Sequence, residues 1–282
     1  MTREFVHLPV DRVIYGAGAL ANLPQQMDRL GVQRAFVVTG QTIATKTELL
    51  DRVKGLLGPR LSGVYPRAGE HVPRSRVVEA ARAAAEAKAD CLISLGGGSP
   101  VDTTKGVALA LAEGITREDE FNLYSTRFPT AHGPKRPFAK TLPVPHIAIT
   151  TTLSAGEHTP NAGGTDEAKR RKDGIAHPLL APKVVILDPE VTLDTPAWLW
   201  ASTGMRALAH AVERFYSPGH QPLTDPLCLE AIRLLSRYLP ISTRDPGDLD
   251  ARLRCQLAAW LSIYGAFNAP VGLSHAIGHQ LG

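Results

Sequence analysis

The sequence predicts an α/β chain: an N-terminal Rossmann-like domain built on a parallel sheet, followed by an all-helical domain. Three observations carry this. Short apolar runs of strand length alternate with helical segments over residues 1–188, the βαβ pattern of a parallel sheet covered on both faces. No strand-like segment follows Pro189, and residues 189–282 read as helices. One apolar run ends in three glycines before a helix, in CLISLGGGSPVDTTK at 91–105. That is where an open α/β sheet meets a ligand.

Each element follows from local pattern. Arg12–Tyr15 reads as a strand before a Gly16-Ala-Gly18 turn, and Ala19–Leu30 as a helix closed by Gly31. Ala35–Thr39 is a strand, Ala44–Leu57 a helix, Leu61–Tyr65 a strand, and Arg74–Lys88 an alanine-rich helix. Cys91–Leu95 is a strand, and helical spacing resumes from Val101 to Glu113. Residues 117–143, rich in Pro, Arg and Thr, form a long excursion of the kind that covers a site. Pro145–Thr150 and Val184–Asp188 are short buried strands. Pro196–Tyr216, Pro222–Leu239 and Leu249–Phe267 carry apolar residues at three- and four-residue steps, with prolines at or near the starts.

Composition narrows the function. At 282 residues and 44% hydrophobic, the chain fills one large or two ordinary cores. No apolar run approaches the roughly 18–20 residues of a membrane span, and the opening MTREFVHLPVDRV lacks the apolar stretch of a secretory leader. Three cysteines, far apart, form neither a disulfide framework nor a metal knuckle, which points to a reducing cytoplasm. The net charge of +4 comes from scattered basic residues, and the densest run, Lys169–Lys172, is short. A nucleic-acid partner would demand a basic face with stacking aromatics. A small anionic ligand suits this charge better.

Four stretches carry chemistry. Gly96, Gly97 and Gly98 sit between strand and helix, where backbone N–H groups and the helix N-terminus suit a phosphate. The same residues also fit a plain βα turn, with Ser99 as N-cap and Pro100 at the first helical position. Thr150–Glu157 places several hydroxyls after a buried strand, as either a polar ligand site or an ordinary loop. In Gly204–Glu213, Arg206 and His210 lie four apart and share a helix face. In Gly272–Gly282, His275 and His279 share the same spacing, as paired ligands or acid–base groups do. Ala276 stands where an H-E-x-x-H motif would have its Glu.

In this order, LGGGSPVDTTK, ITTTLSAGE, VVILDPE, STGMRALAHAVE and GLSHAIGHQLG resemble the iron-containing (group III) alcohol dehydrogenase family, whose fold is that of dehydroquinate synthase. TTLSAGE with TDEAKRRK, GMRALAHAVE and YSPGHQPLTD are most similar to its maleylacetate reductase branch. The resemblance implies NAD(P)H-dependent reduction of maleylacetate to 3-oxoadipate in aromatic-compound catabolism, by a cytoplasmic homodimer. It implies that Gly96, Gly97, Gly98 and Ser99 hold the cofactor pyrophosphate, with Asp102 and Lys105 on the nicotinamide side. Thr151, Thr152 and Ser154 would line the adenosine–ribose side, with Lys172 near the ribose. His210, His275 and His279 would surround the reacting carbon, with His275 or His279 as proton donor and Arg206 holding a substrate carboxylate. Where related dehydrogenases place a ribose-binding acid, this chain has Gly40, so either NADH or NADPH is expected.

Metal-dependent relatives bind iron or zinc through an Asp four residues before the helical His, that His, and two later histidines. Here the Asp position holds Arg206, and the last ligand would lie beyond Gly282. The expectation is a site without metal, in a chain that looks truncated. Two alternatives stay open: a metal-dependent alcohol or hydroxy-acid dehydrogenase, and an inactive nucleotide-binding remnant.

Overall fold

The computed structural model describes residues 4–126, 144–275 and 277. Six parallel strands form the main sheet: β1 (Arg12–Tyr15), β2 (Ala35–Thr39), β3 (Leu61–Tyr65), β4 (Cys91–Gly96), β5 (His146–Thr150) and β8 (Val184–Leu187). Their order is β1-β8-β5-β4-β2-β3. The strands β2, β4 and β5 are buried along their whole length, as parallel strands covered on both faces must be. Strand order reverses between β2 and β4, so the crevice for a ligand opens beyond their carboxyl ends. Register sets those ends level: Thr39 pairs with Leu95, and Gly96 with Thr150.

Helices α1 (Leu23–Leu30), α2 (Gln41–Lys46), α3 (Leu49–Leu57), α4 (Arg74–Glu86) and α5 (Gly98–Glu113) connect these strands. One core lies under α1 and α3, with Leu23, Met27 and Val53 against Val37, Ile93 and Ile149. A second lies under α4 and α5, with Val77, Ala81 and Val107 against Phe36, Val38 and Leu92. The helical part comprises α6 (Ala197–Phe215), α7 (Thr224–Arg244) and α8 (Leu249–Ile263). No helix among the described residues is long and apolar enough to cross a membrane.

Four readings differ from the sequence expectation. The segment read as one helix over 44–57 is two, because Thr47 is extended (φ −135°, ψ 161°). Its hydroxyl donates to Ile43 O at 3.0 Å and accepts from Leu49 N at 3.3 Å, closing one helix and opening the next. The segment 19–30 begins as a 3-10 turn, Ala19–Asn22, because the buried Asp188 carboxylate takes the N–H of Leu20 at 2.9 Å. A two-stranded antiparallel hairpin, β6 (Asn161–Asp166) and β7 (Arg171–Ala176), escaped the reading altogether. Its strands carry Gly163, Gly164 and Gly174 and no apolar alternation, so nothing in them signals a strand. The basic run Lys169–Lys172 occupies its turn and the start of β7. Of the 117–143 excursion, Glu118–Tyr124 form a 3-10 helix, and residues 127–143 lie outside the described ones.

Buried charge, not apolar area, anchors the hairpin. Arg74 at the start of α4 is 3% exposed. Its guanidinium donates to Asp173 at 2.9 Å, Asn122 at 2.8 Å and Asp166 at 3.3 Å. Removing the cation leaves the two carboxylates, among the described residues, with only the partly exposed Arg171, at 2.9 Å from Asp173, and Lys169, at 3.2 Å from Asp166. Arg74→Ala is therefore expected to cost about 3–5 kcal/mol in urea unfolding at neutral pH. A loss below about 1 kcal/mol, the range of surface pairs, would contradict the buried network.

Candidate active site

The glycine turn stands at the crevice. Gly96 has φ 139°, and a Cβ there would lie 2.9 Å from Pro100 Cγ. Only glycine permits this corner. α5 begins at Gly98 with Gly97 as N-cap and no side-chain cap, so Ser99 and Pro100 lie inside the first turn. The plain capping reading of Ser99 therefore does not hold. The first-turn N–H groups have no side-chain acceptor, which leaves them open to an anion.

The loop after β5 closes on this turn. Thr151 N donates to Gly96 O at 3.1 Å. A Cβ on Gly97 would meet Thr152 at 3.0 Å, and one on Gly98 would meet Ser154 Oγ at 3.4 Å. The hydroxyls of Thr152 and Ser154 are buried without hydrogen-bond partners among the described residues. Orphaned hydroxyls beside an uncapped helix fit the polar diphosphate of a nicotinamide dinucleotide. The residues that would hold it are Gly97, Gly98, Ser99, Thr152 and Ser154. The structure sets Thr152 and Ser154 against the glycines, rather than on the adenosine–ribose side expected of them, while Gly96 makes the corner and Thr151 ties the loop down.

Asp102 and Lys105 serve a different task from the one expected. Lys105 is fully buried, and its ammonium donates to Asn161 O at 2.6 Å, Gly156 O at 2.7 Å and Asp102 Oδ1 at 3.3 Å. All three donors are occupied, so the lysine clamps the loop and hairpin rather than reaching a nicotinamide. Burial lowers its pKa, opposed by the Asp102 charge. Asp102 Oδ2 accepts from Gly163 N at 3.1 Å, fixing β6 as well. Lys172 on β7 pairs with Thr165 and lies over Gly163, whose added Cβ would meet Lys172 Cε at 2.9 Å. It therefore stands near Asp102 rather than beside the loop of Thr151–Ser154.

The helical part supplies the second wall. Leu153 N donates to Thr203 Oγ1 on α6 at 3.2 Å, and His158 stacks on Trp260 of α8 with centroids 5.8 Å apart. Farther along α6 come Arg206, exposed, and His210, buried. The rings of His210 and His275 stack with centroids 4.6 Å apart at 22°. The structure thus joins two of the three expected histidines, and His279 lies outside the described residues. Sequence reasoning missed Glu213, whose Oε2 accepts from His275 Nδ1. The only signal was its place three residues after His210, one turn along the same helix. Burial acts to raise the Glu213 carboxyl, but the N–H of Gly272 and the His275 ring outweigh it and hold it below its ordinary value.

Models of two domains match the chain: iron-containing alcohol dehydrogenase over residues 10–189, and the C-terminal domain of the Fe-containing alcohol dehydrogenase family over 200–282. The chain belongs to the iron-containing alcohol dehydrogenase family. It is 35% identical to maleylacetate reductase 2 of Cupriavidus pinatubonensis over 280 residues, covering 99% of this chain and 68% of that protein. It is 31% identical to the NAD-dependent methanol dehydrogenase of Bacillus methanolicus, covering 100% and 70%. The crystal structure of maleylacetate reductase from Agrobacterium tumefaciens superposes with a TM-score of 0.81 at 28% identity, covering 100% and 70%. The chain is thus an NAD(P)-dependent oxidoreductase spanning about two thirds of these relatives.

Membership overturns the expectation of a metal-free site, since both matching models describe iron-containing enzymes. That expectation rested on a last ligand expected beyond Gly282 and on repulsion between Arg206 and a divalent ion. Arg206 is exposed, and in high-dielectric solvent such repulsion is small. The donors fit a metal. Imidazole suits iron and zinc, and His275 Nε2 is buried without a partner among the described residues. His210 and His275 are the residues that would hold the ion. No group of three or more His, Cys, Asp or Glu is assembled among the described residues.

One titration follows from burial. Glu157, beside Lys105, is pushed from 4.5 up to about 7 by desolvation, against the pull of the Lys105 charge. Below pH 4.5 the carboxyl is neutral folded or unfolded, whereas above about 7 its ionisation in the fold is penalised. Glu157→Gln is therefore expected to gain stability over the wild type as pH rises through this window. Unfolding free energies across the window that run parallel for the two proteins would contradict it.

Proposed function

We propose that this chain reduces maleylacetate to 3-oxoadipate with NADH or NADPH, a late step in aromatic-compound catabolism, as a cytoplasmic homodimer. The observation that carries the reading is Arg206, exposed on α6 one helical turn from His210 and the His210–His275 pair. A guanidinium there offers a two-pronged hydrogen bond to a carboxylate, and the substrate is a dicarboxylate. The maleylacetate reductase relatives support the same branch.

The reduced nicotinamide, when bound, would supply the hydride, and His210 and His275 are the residues that would hold a metal, which would supply Lewis acidity there. The chain's own residues position the reactants. Gly97 and Gly98 admit the diphosphate, and the Thr152 and Ser154 hydroxyls meet its oxygens. Arg206 orients a carboxylate, which aligns the enone for attack at its alkene carbon. The adjacent carbon then needs a proton, for which histidine is suited near neutrality. His279 is the candidate donor, since His275 faces a metal ligand's task.

The test follows NAD(P)H absorbance with maleylacetate. Turnover is expected with both cofactors, because Gly40 presents no carboxylate against a 2′-phosphate. A preference for NADH beyond about a hundredfold, roughly 2.7 kcal/mol, would count against that. Arg206→Leu is expected to raise KM for maleylacetate about tenfold or more, the worth of a charge-assisted pair. Metal-dependent oxidation of simple alcohols without maleylacetate turnover would move the chain to the alcohol dehydrogenase branch.

A further inference from the structure

Glu213 does more than neighbour a histidine. It is 3% exposed, and among the described residues its side-chain hydrogen bonds run to the segment that carries His275. Oε1 accepts from Ser274 N at 2.8 Å and from His275 N at 3.4 Å. Oε2 accepts from Gly272 N at 2.9 Å and from His275 Nδ1. One carboxylate on α6 thus fixes both the backbone turn and the ring it bears. The approach is close: a Cβ on Gly272 would lie 2.7 Å from Tyr216 Oη and 3.4 Å from Glu213 Cδ. Glycine at that position lets the turn settle onto the carboxylate.

We propose that Glu213 is a positioning residue that locks His275 in the tautomer protonated on Nδ1, so that the Nε2 lone pair points to the site. An ionised carboxylate only accepts hydrogen bonds, so the nitrogen it touches must carry the proton. In the neutral ring the other nitrogen is then the acceptor. That nitrogen is buried without a partner among the described residues. A carboxylate behind a histidine is the arrangement that orients metal ligands and raises their basicity. The assignment holds for any substrate of this site.

The experiment reads the tautomer directly. Long-range 1H–15N correlation spectra of uniformly labelled protein report the protonation of each ring nitrogen at a pH where the ring is neutral. His275→Gln assigns the signal. In the wild type, His275 is expected with a protonated Nδ1 and a bare Nε2. In Glu213→Gln the side-chain amide places an NH2 where one oxygen stood, and two donors cannot share that position. The ring is expected to shift its proton to Nε2, with unchanged circular dichroism. An Nε2-protonated His275 in the wild type overturns the proposal, as does an unchanged tautomer in folded Glu213→Gln. Should the variant fail to fold, the wild-type spectrum decides alone.

Discussion

A single buried ammonium holds the ligand-binding half together. Lys105 projects from α5, directly after the glycine turn, into a space with no water contact, and reaches the loop after β5 and the first residue of β6. Burying a lysine is costly unless every donor is used, and here every donor is. Those bonds decide where residues 156–161 lie. Placement of the loop in turn sets Thr152 and Ser154 against the glycines. Without the lysine, the Asn161 and Gly156 carbonyls and Asp102 would each lose a partner together, although Gly156 O keeps Thr159 and Asp102 keeps Gly163 N. Glu157 titrates near neutrality for the same reason: it shares that dry space.

The two halves meet across this loop rather than through a linker. Leu153 packs into the helical core with Ala207, Leu235 and Leu239. At Gly204, an added Cβ would lie 2.4 Å from Leu239 Cδ1 and 3.1 Å from Leu153 Cδ1, so a residue with no side chain sets the spacing of α6 from both neighbours. Below it, the Arg252 guanidinium lies 4.4 Å from the Trp200 ring centre and donates to Thr192 O at 3.0 Å. That contact joins α8 to the turn leaving β8. Cofactor cradle and histidine pair are therefore held by one continuous packing, and the loop after β5 belongs to both.

The metal question turns on burial. Arg206 replaces an acid at a ligand position, and a permanent cation beside a divalent ion is forbidding in a low-dielectric site. The helix presents that guanidinium to solvent, where its charge is screened, while His210 one turn on is buried. The substitution that argued against a metal thus places its charge in solvent rather than among the buried imidazoles. Glu213 places a carboxylate on the Nδ1 side of His275.

By itself, the sequence determined the parallel-sheet domain, the helical domain and the glycine turn at their junction with a ligand. Each leaves a local trace: buried strands are continuous apolar runs, helices repeat every three to four residues, and a glycine triplet between strand and helix permits a corner and a close backbone approach closed to other residues. It also marked His210, four residues after Arg206, and His275, four residues before His279, because each pair shares a helix face. Only the tertiary structure decided that Lys105 spends its donors on the loop and hairpin, that Arg206 faces water, and that a glycine-rich segment forms the β6–β7 hairpin. It alone placed Glu213 behind His275, from 62 residues away in the chain. Burial and long-range hydrogen bonding are properties of what surrounds a residue, and the spacing of letters along a chain does not encode them.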